Sequence, residues 1–258
     1  NAYVSLKPAS WKGVQFDFGK FVTSAGAEVT ESHLNWNYSR SLLFAFGPYY
    51  HAGLRASVPL NSRWSVGGAL VTGWNTIRDN NSGKSFGVTG AANFGRVQVA
   101  NTYYAGPERT GTNEGWRHFY DAVVTLTPAR RVTMYANFDV GTQRSPAAPA
   151  ATFWGVAWAA RIQLSPNFAI SPRVEHYSDR NGFWTGSPNW FREYTLTAES
   201  RLNDCLISRL EIRRDWSREP FFEMGPEGGL RRHQLMLVAG VTVAVKPGLF
   251  ALAGRNGK

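Results

Sequence analysis

The residues best equipped for chemistry crowd into one stretch of the chain. Arg173, Glu175, Glu193, Glu199, Arg201, Arg209, Glu211, Arg213 and Asp215 recur at even spacings within short runs. In an extended chain, residues two apart share a face. A face so charged could set a transverse field that orders solute dipoles and fixes ion preference. It could also be a cross-strand ladder of opposite charges that stiffens a sheet. Four Arg stand against five acids, so both readings stay open. Arg55 and Arg161 occupy the same kind of position on other segments.

Catalytic and metal chemistry find little support. Five histidines (His33, His51, His118, His176, His233) are scattered without ligand spacing such as H-x-x-x-H, and no G-x-S-x-G elbow occurs. His51 and His118 fall near strand ends, where an interfacial position is expected. The run 79–84 offers Asp79 and Asn oxygens but lacks the carboxylate density of a calcium site. Cys205 is the single cysteine, which excludes an internal disulfide and a cysteine zinc site; it reads as a small residue near a tight turn. No enzyme, cofactor or metal is expected.

Charge narrows the partners. The net charge is +10 and the pI about 10.0, which admits nucleic acid, anionic lipid head groups or anionic solutes. Much of the excess falls in turns, loops and tail: Arg63, Lys84, Arg130, Arg144, Arg231, Arg232, Arg255 and Lys258. No basic helix or stacking platform accompanies it, so nucleic acid is not expected.

The elements that must hold these residues are strands. Alternation with a period of two recurs through the chain. Val14, Phe16 and Phe18 alternate with Gln15, Asp17 and Gly19; Val132 to Val140 and Trp154 to Leu164 do the same. About thirteen strands are predicted: 1–7, 13–21, 49–60, 64–75, 85–94, 96–105, 116–128, 131–142, 153–165, 168–178, 191–203, 205–216 and 232–246. Most reach the roughly 9–11 residues a tilted strand needs to cross a bilayer. No run approaches the roughly 18 apolar residues of a membrane helix. Mean hydropathy is −0.30, which an alternating barrel strand produces by cancellation.

Connections alternate in length. Tight turns are predicted near Asn61–Arg63, Gly95, Ala129–Arg130, Pro166–Asn167 and Asp204, and long polar loops at 76–84, 106–115, 143–152, 179–190 and 217–231. Membrane barrels show this asymmetry, with short periplasmic turns and long outer loops. Aromatics mark both ends of the apolar face: Trp64, Phe94 and Phe168 beside the tight turns, and Tyr50, Trp74, Phe86 and Tyr103 beside the loops. Two such belts suit two membrane–water interfaces. The fold class is therefore all-β, a transmembrane antiparallel up-and-down barrel over residues 1–246, with a tail at 247–258. Asn1 opens on strand-like sequence with no leader pattern. Strand parity predicts that an up-going strand precedes residue 1 and that the complete barrel has 14 or 16 strands.

Between residues 13 and 85 the chain resembles the OmpL-like porin family, the porin-2 barrels. Phe16-Asp17-Phe18-Gly19-Lys20-Phe21 with Gly26-Ala27-Glu28 carries the likeness, and Asn37-Tyr38-Ser39-Arg40-Ser41-Leu42-Leu43-Phe44 is its most recognisable part. Gly53-Leu54-Arg55-Ala56, Gly73-Trp74-Asn75 and the run 79–84 follow in order. The resemblance implies an outer-membrane pore. One feature departs: many such barrels end on an aromatic residue, whereas here Phe250 is followed by eight more residues.

Function should then lie on the inward face. From 64 to 94 that face is small (Ser65, Gly67, Ala69, Gly73, Gly87, Thr89, Ala91), which leaves room inside. The longest connection, 22–48, carries Glu28, Glu31, Trp36, Tyr38 and Arg40 with an apolar Leu42-Leu43-Phe44 that would be costly in water. We expect it to fold inward as a constriction; a surface loop or an extended strand is the other reading. The expected partners are the lipid bilayer and small hydrophilic solutes or ions, with a homo-oligomer also compatible. The rival to a passive pore is a barrel used as a sheath for a partner protein, such as an electron-transfer conduit.

Overall fold

The computed structural model describes residues 1–145, 148–225 and 228–245. The tail 247–258, with Phe250, Arg255 and Lys258, lies outside the described residues. Twelve strands run in chain order: β1 (Ala2–Leu6), β2 (Gln15–Val22), β3 (Tyr50–Pro59), β4 (Trp64–Val71), β5 (Ser85–Asn93), β6 (Val97–Pro107), β7 (Trp116–Ala129), β8 (Val132–Ser145), β9 (Ala148–Ser165), β10 (Phe168–Asp179), β11 (Asn189–Arg201) and β12 (Leu206–Ser217). A two-stranded ribbon follows, β13 (Phe222–Glu223) with β14 (Leu230–Arg231), and then β15 (His233–Val243). The twelve and β15 form one sheet in which every strand pairs its chain neighbour antiparallel, with β1 and β15 as its edges. Between β2 and β3 lie a 3-10 turn (Ser32–Leu34) and the short helix α1 (Leu42–Phe46).

The period of two becomes an inversion of the usual burial rule. Phe18 is 67% exposed and Leu237 74%, while Arg173 is 1% exposed and Glu211 0%. Along β15, Leu235, Leu237, Val241 and Val243 all stand on the exposed face. Apolar outside and polar inside is the arrangement that lipid demands of a sheet. A soluble barrel would reverse it. Leu237 lies mid-strand opposite Ile212, so Leu237→Arg should cost about 2–4 kcal/mol of folding stability in lipid vesicles, as charge near the midplane does. Val238→Thr, one residue along on the inward face, should cost far less. Equal losses in urea titrations would refute the assignment of faces.

Three local expectations need correction. The loop expected at 143–152 is largely strand: β8 and β9 pair through Gln143↔Ala151 and Ser145↔Ala148. The Pro- and Ala-rich stretch lacks an alternating pattern, but ladder bonds beyond the rim need no apolar face. Trp74 does not join the outer belt. β4 stops at Val71, and Asn75, with φ of 51°, is bound back to β3 through the Tyr49 and Tyr50 amides and the Tyr50 hydroxyl. The alternation breaks there, and Trp74 turns into the interior against Phe119, 4.9 Å between ring centroids. His51 is fully buried, stacked on Tyr104 and bonded to the Gly73 carbonyl, so it is no interfacial residue.

The other aromatics stand where the alternation put them. Trp64 and Phe94 meet edge to face at the tight-turn end, with Phe168 half-buried at that end. Phe86 packs on Tyr103 and Trp116 at the loop end, and Tyr50 is half-buried there beneath Lys20. Trp154, Trp190 and Trp216 extend that outer row through His176 and Tyr194.

Candidate functional site: a charged inner wall and the segment docked on it

The segment between β2 and β3 is held by the inner face of the sheet. Its start meets β6 and β8: Thr102 Oγ1 donates to the Ser24 carbonyl at 3.1 Å, and the Ala27 amide donates to Asn137 Oδ1 at 2.9 Å. Its middle reaches β10 and β11, where Asn37 Nδ2 donates to the Ser171 carbonyl and to Thr197 Oγ1. The Tyr38 and Ser39 amides share the two oxygens of Glu211 on β12, at 2.7 and 3.0 Å. The Tyr38 ring lies against Gly240 of β15, where a Cβ would come within 2.3 Å of it. Contacts from β6 round to β15 mean that the sheet curls about this segment.

α1 explains why Leu42-Leu43-Phe44 avoids water. Ser41 caps it, accepting from the Phe44 amide, and Leu42 and Leu43 are buried. Leu43 fills the space that Gly155 leaves, and Phe46 stacks on Tyr177 at 4.6 Å. Phe119, Phe153, Tyr177 and Phe191 complete an apolar cluster inside the loop end of the barrel. Sequence reasoning missed these rings. Their inward parity was readable, but each has an outward ring beside it (Tyr120, Trp154, His176 or Trp190), and rings on both faces blur the alternation.

The charged wall is real, yet it is not a simple ladder. In register, only Glu199 faces an opposite charge directly, Arg209. Glu175, Glu193 and Asp215 fall in one row across β10, β11 and β12, acid opposite acid. Such a row is unfavourable unless cations reach it from the side. Arg173 does so: its guanidinium bonds Glu193 at 2.9 Å and Glu28 of the docked segment at 2.5 Å, with Glu175 3.6 Å away. Arg213 contacts Asp215 at 2.9 Å, and Arg161 and Arg209 both reach Glu199 at 2.7 Å.

These arginines also serve the docked backbone. Arg173 donates to the Ser39 carbonyl, Arg209 to those of Ser32 and Asn35, and Arg213 to that of Arg40. Glu175 accepts from the Leu42 amide and Glu28 from the Ser41 amide. The carboxylates thus take the segment's amides and the guanidiniums its carbonyls. Charge-assisted bonds of this kind are the stronger sort.

Not every expected residue joins. Arg201 ends β11 opposite Ile207, exposed and outside any ion pair among the described residues. Arg55 pairs with Asp17 on β2, away from the main wall. Glu31 is exposed, whereas Trp36 packs on Tyr135 at 5.1 Å. Arg40 binds its own segment through the Thr30 and Tyr38 carbonyls. Asp121, Asn137 and Asp139 form a further buried polar group under the segment.

The opposite wall stays open in its tight-turn half, where Ser65, Gly67, Thr89 and Ala91 are half-buried; nearer the loops Ser85 and Gly87 are buried, Gly87 against the Tyr104 ring. No hydrogen bond among the described residues joins segment 23–49 to β4 or β5. A cavity of about 310 Å³ opens at the tight-turn end, lined by Ser65, Ala91, Asn93, Gln98, Ala100 and Thr125. The basic excess gathers at this end too: Lys7, Lys12, Arg63, Arg96, Arg130, Arg131 and Arg201 are all exposed there, against the single exposed acid Asp204 among the described residues.

Solved structures of similar fold are outer-membrane proteins. Outer-membrane-expressed OmpT of Vibrio cholerae matches over 93% of this chain and 77% of its own, with a TM-score of 0.64 and 12% identity. The outer-membrane channel DcaP of Acinetobacter baumannii matches over 89% and 73%, with a TM-score of 0.58 and 12% identity. An anion-selective porin from Comamonas acidovorans matches over 89% and 72%, with a TM-score of 0.57 and 8% identity. An in-vitro folded OmpT described as a trimer form gives 0.61 over 88% and 74%, at 12% identity. No curated protein matches the sequence. The family model "Putative beta-barrel porin-2, OmpL-like" matches residues 1–245, which takes in every strand of the sheet and reaches far beyond the motifs of 13–85. The chain therefore belongs to the OmpL-like porin-2 family, the β-barrel porins of the bacterial outer membrane.

Proposed function

We propose that this porin lets small hydrophilic solutes and ions diffuse passively along a lumen that segment 23–49 narrows from one side. The carrying observation is the one-sided docking of that segment. It binds the charged wall of β8 to β12 and leaves Ser65, Gly67, Thr89 and Ala91 of β4 and β5 uncovered. A passage between segment and small wall would be lined by hydroxyls, amides and short side chains. Such a lining suits weak, unspecific passage. Most wall charges are engaged with one another or with the segment, so their field on a solute is that of close pairs rather than of free ions.

The sheath reading is less favoured. A threaded partner would compete with the chain's own segment for the same space. A homo-oligomer finds support in the trimer form described for one similar barrel. The test is electrical. The purified, folded barrel in a planar bilayer should give discrete, ohmic conductance steps in potassium chloride. Correctly folded protein that inserts without conducting would overturn the pore.

A further inference from the structure

Deep in the lumen the arginines are paired, but at the outer mouth three unpaired ones share a cleft. Arg109, Arg117 and Arg144 line one cleft of about 470 Å³ together with Gln143, Asn181 and Phe183. None of the three makes a salt bridge among the described residues, in contrast to Arg55, Arg161, Arg173, Arg209 and Arg213. Arg117 is the best placed. Its Nε donates to Gln143 Oε1 at 2.8 Å, and Gln143 is itself fixed by the Gly115 and Arg144 carbonyls. The terminal nitrogens of Arg117 have no protein acceptor among the described residues. Trp74, Phe183 and Trp184 surround its guanidinium at 4.8, 5.0 and 5.5 Å from their ring centroids. The Trp184 Nε1 donor is buried and also lacks an acceptor.

A guanidinium ringed by aromatic side chains, with no protein acceptor on its two outer nitrogens among the described residues, is a carboxylate fork awaiting its partner. We propose that this cleft binds small planar organic carboxylates at the outer mouth, Arg117 taking the carboxylate and Phe183 and Trp184 the ring beside it. This deepens the pore reading and rests on it for the role of a solute-collecting vestibule. Nearby acids do not cancel the site. Asp179 is occupied by the amides of Phe183, Trp184 and Thr185. Glu108 accepts from Ser85 Oγ and the Trp74 amide. Burial, the largest influence, pushes the Glu108 carboxyl upward, opposed by those two bonds and by Arg117.

Benzoate is the probe, benzamide its neutral control, and calorimetry on the folded full chain in detergent the measurement. Benzoate should bind at least about tenfold more tightly than benzamide, and Arg117→Ala should remove that preference. Arg117→Lys keeps the charge but not the fork and should restore only part of it. Arg109→Ala, outside the aromatic stack, guards against misfolding and should weaken binding less. Equal binding of the two probes, or benzoate binding indifferent to Arg117, overturns the proposal. So does Arg117-dependent binding of lipid A micelles without benzoate binding, which would assign the cleft to lipid phosphate. Conductance without benzoate binding sinks the vestibule alone; benzoate binding without conductance sinks the pore alone.

Discussion

Deleting residues 28–44 raises single-channel conductance by about twofold or more, because ion flow follows the open cross-section at the narrowest point. The deleted stretch holds Glu28, Asn37, Tyr38 and the first three residues of α1, parts that fill the lumen beside β8 to β12. Its removal also strips Glu211 of two amide donors and Arg173 of one carboxylate. The deletion barrel should therefore unfold at lower denaturant while conducting more. Gly240→Leu separates the two effects. A side chain there strikes the Tyr38 ring, so the middle of the segment must lift while every charge stays in the protein. It should raise conductance and its noise with a smaller loss of stability. Unchanged conductance in both variants, with the barrel folded, would show that the segment does not bound the ion path.

How much of this was legible in the sequence depends on the range of the interaction. The long strands came through because a membrane sheet imposes its period on every residue, as Val132 to Val140 illustrates. Legibility failed where that demand lapses. Beyond the rim, 143–145 and 148–151 show no alternating pattern in the sequence and still pair. At Asn75 the chain leaves the ladder and takes Trp74 inward. The residue types of the site are visible too: Glu175, Arg173 and Glu211 share the inward parity, and Glu28 falls in the long connection. Their partnerships are not. Glu28 and Arg173 are 145 residues apart and meet only because β8 to β12 set a register that no local pattern encodes. The two readings of the charged face stayed open for the same reason: opposite charges do pair across strands, Arg173 with Glu193 and Arg209 with Glu199, but most residues directly opposite one another in register are not of opposite charge. Alternation fixes which face a charge occupies, and only register decides whether Glu193 lies opposite an arginine or, as here, opposite Glu175 and Asp215.

Arg173 is where that register has the largest energetic consequence. Its side chain is buried, and it is the cation in contact with Glu28, Glu175 and Glu193. Removing one partner from a buried ionic group costs about 3–5 kcal/mol, because the charges left behind lose their neutralisation without regaining water. Arg173→Ala should reach that range, since it strands three carboxylates and frees the Ser39 carbonyl. Arg173→Lys keeps the charge, but one ammonium cannot present a planar fork to acids on both the sheet and the segment, so its loss should be intermediate. The double variant Arg173→Met with Glu28→Gln distinguishes charge from docking. If stranded charge is the main cost, removing Glu28 as well recovers part of the stability. If the lost bond to segment 23–49 is the main cost, the double variant is no more stable than Arg173→Met and conducts like the deletion. Urea unfolding in vesicles and conductance of the same four proteins decide between them. Wild-type stability in Arg173→Ala would mean that the row of acids is neutralised by something other than this guanidinium.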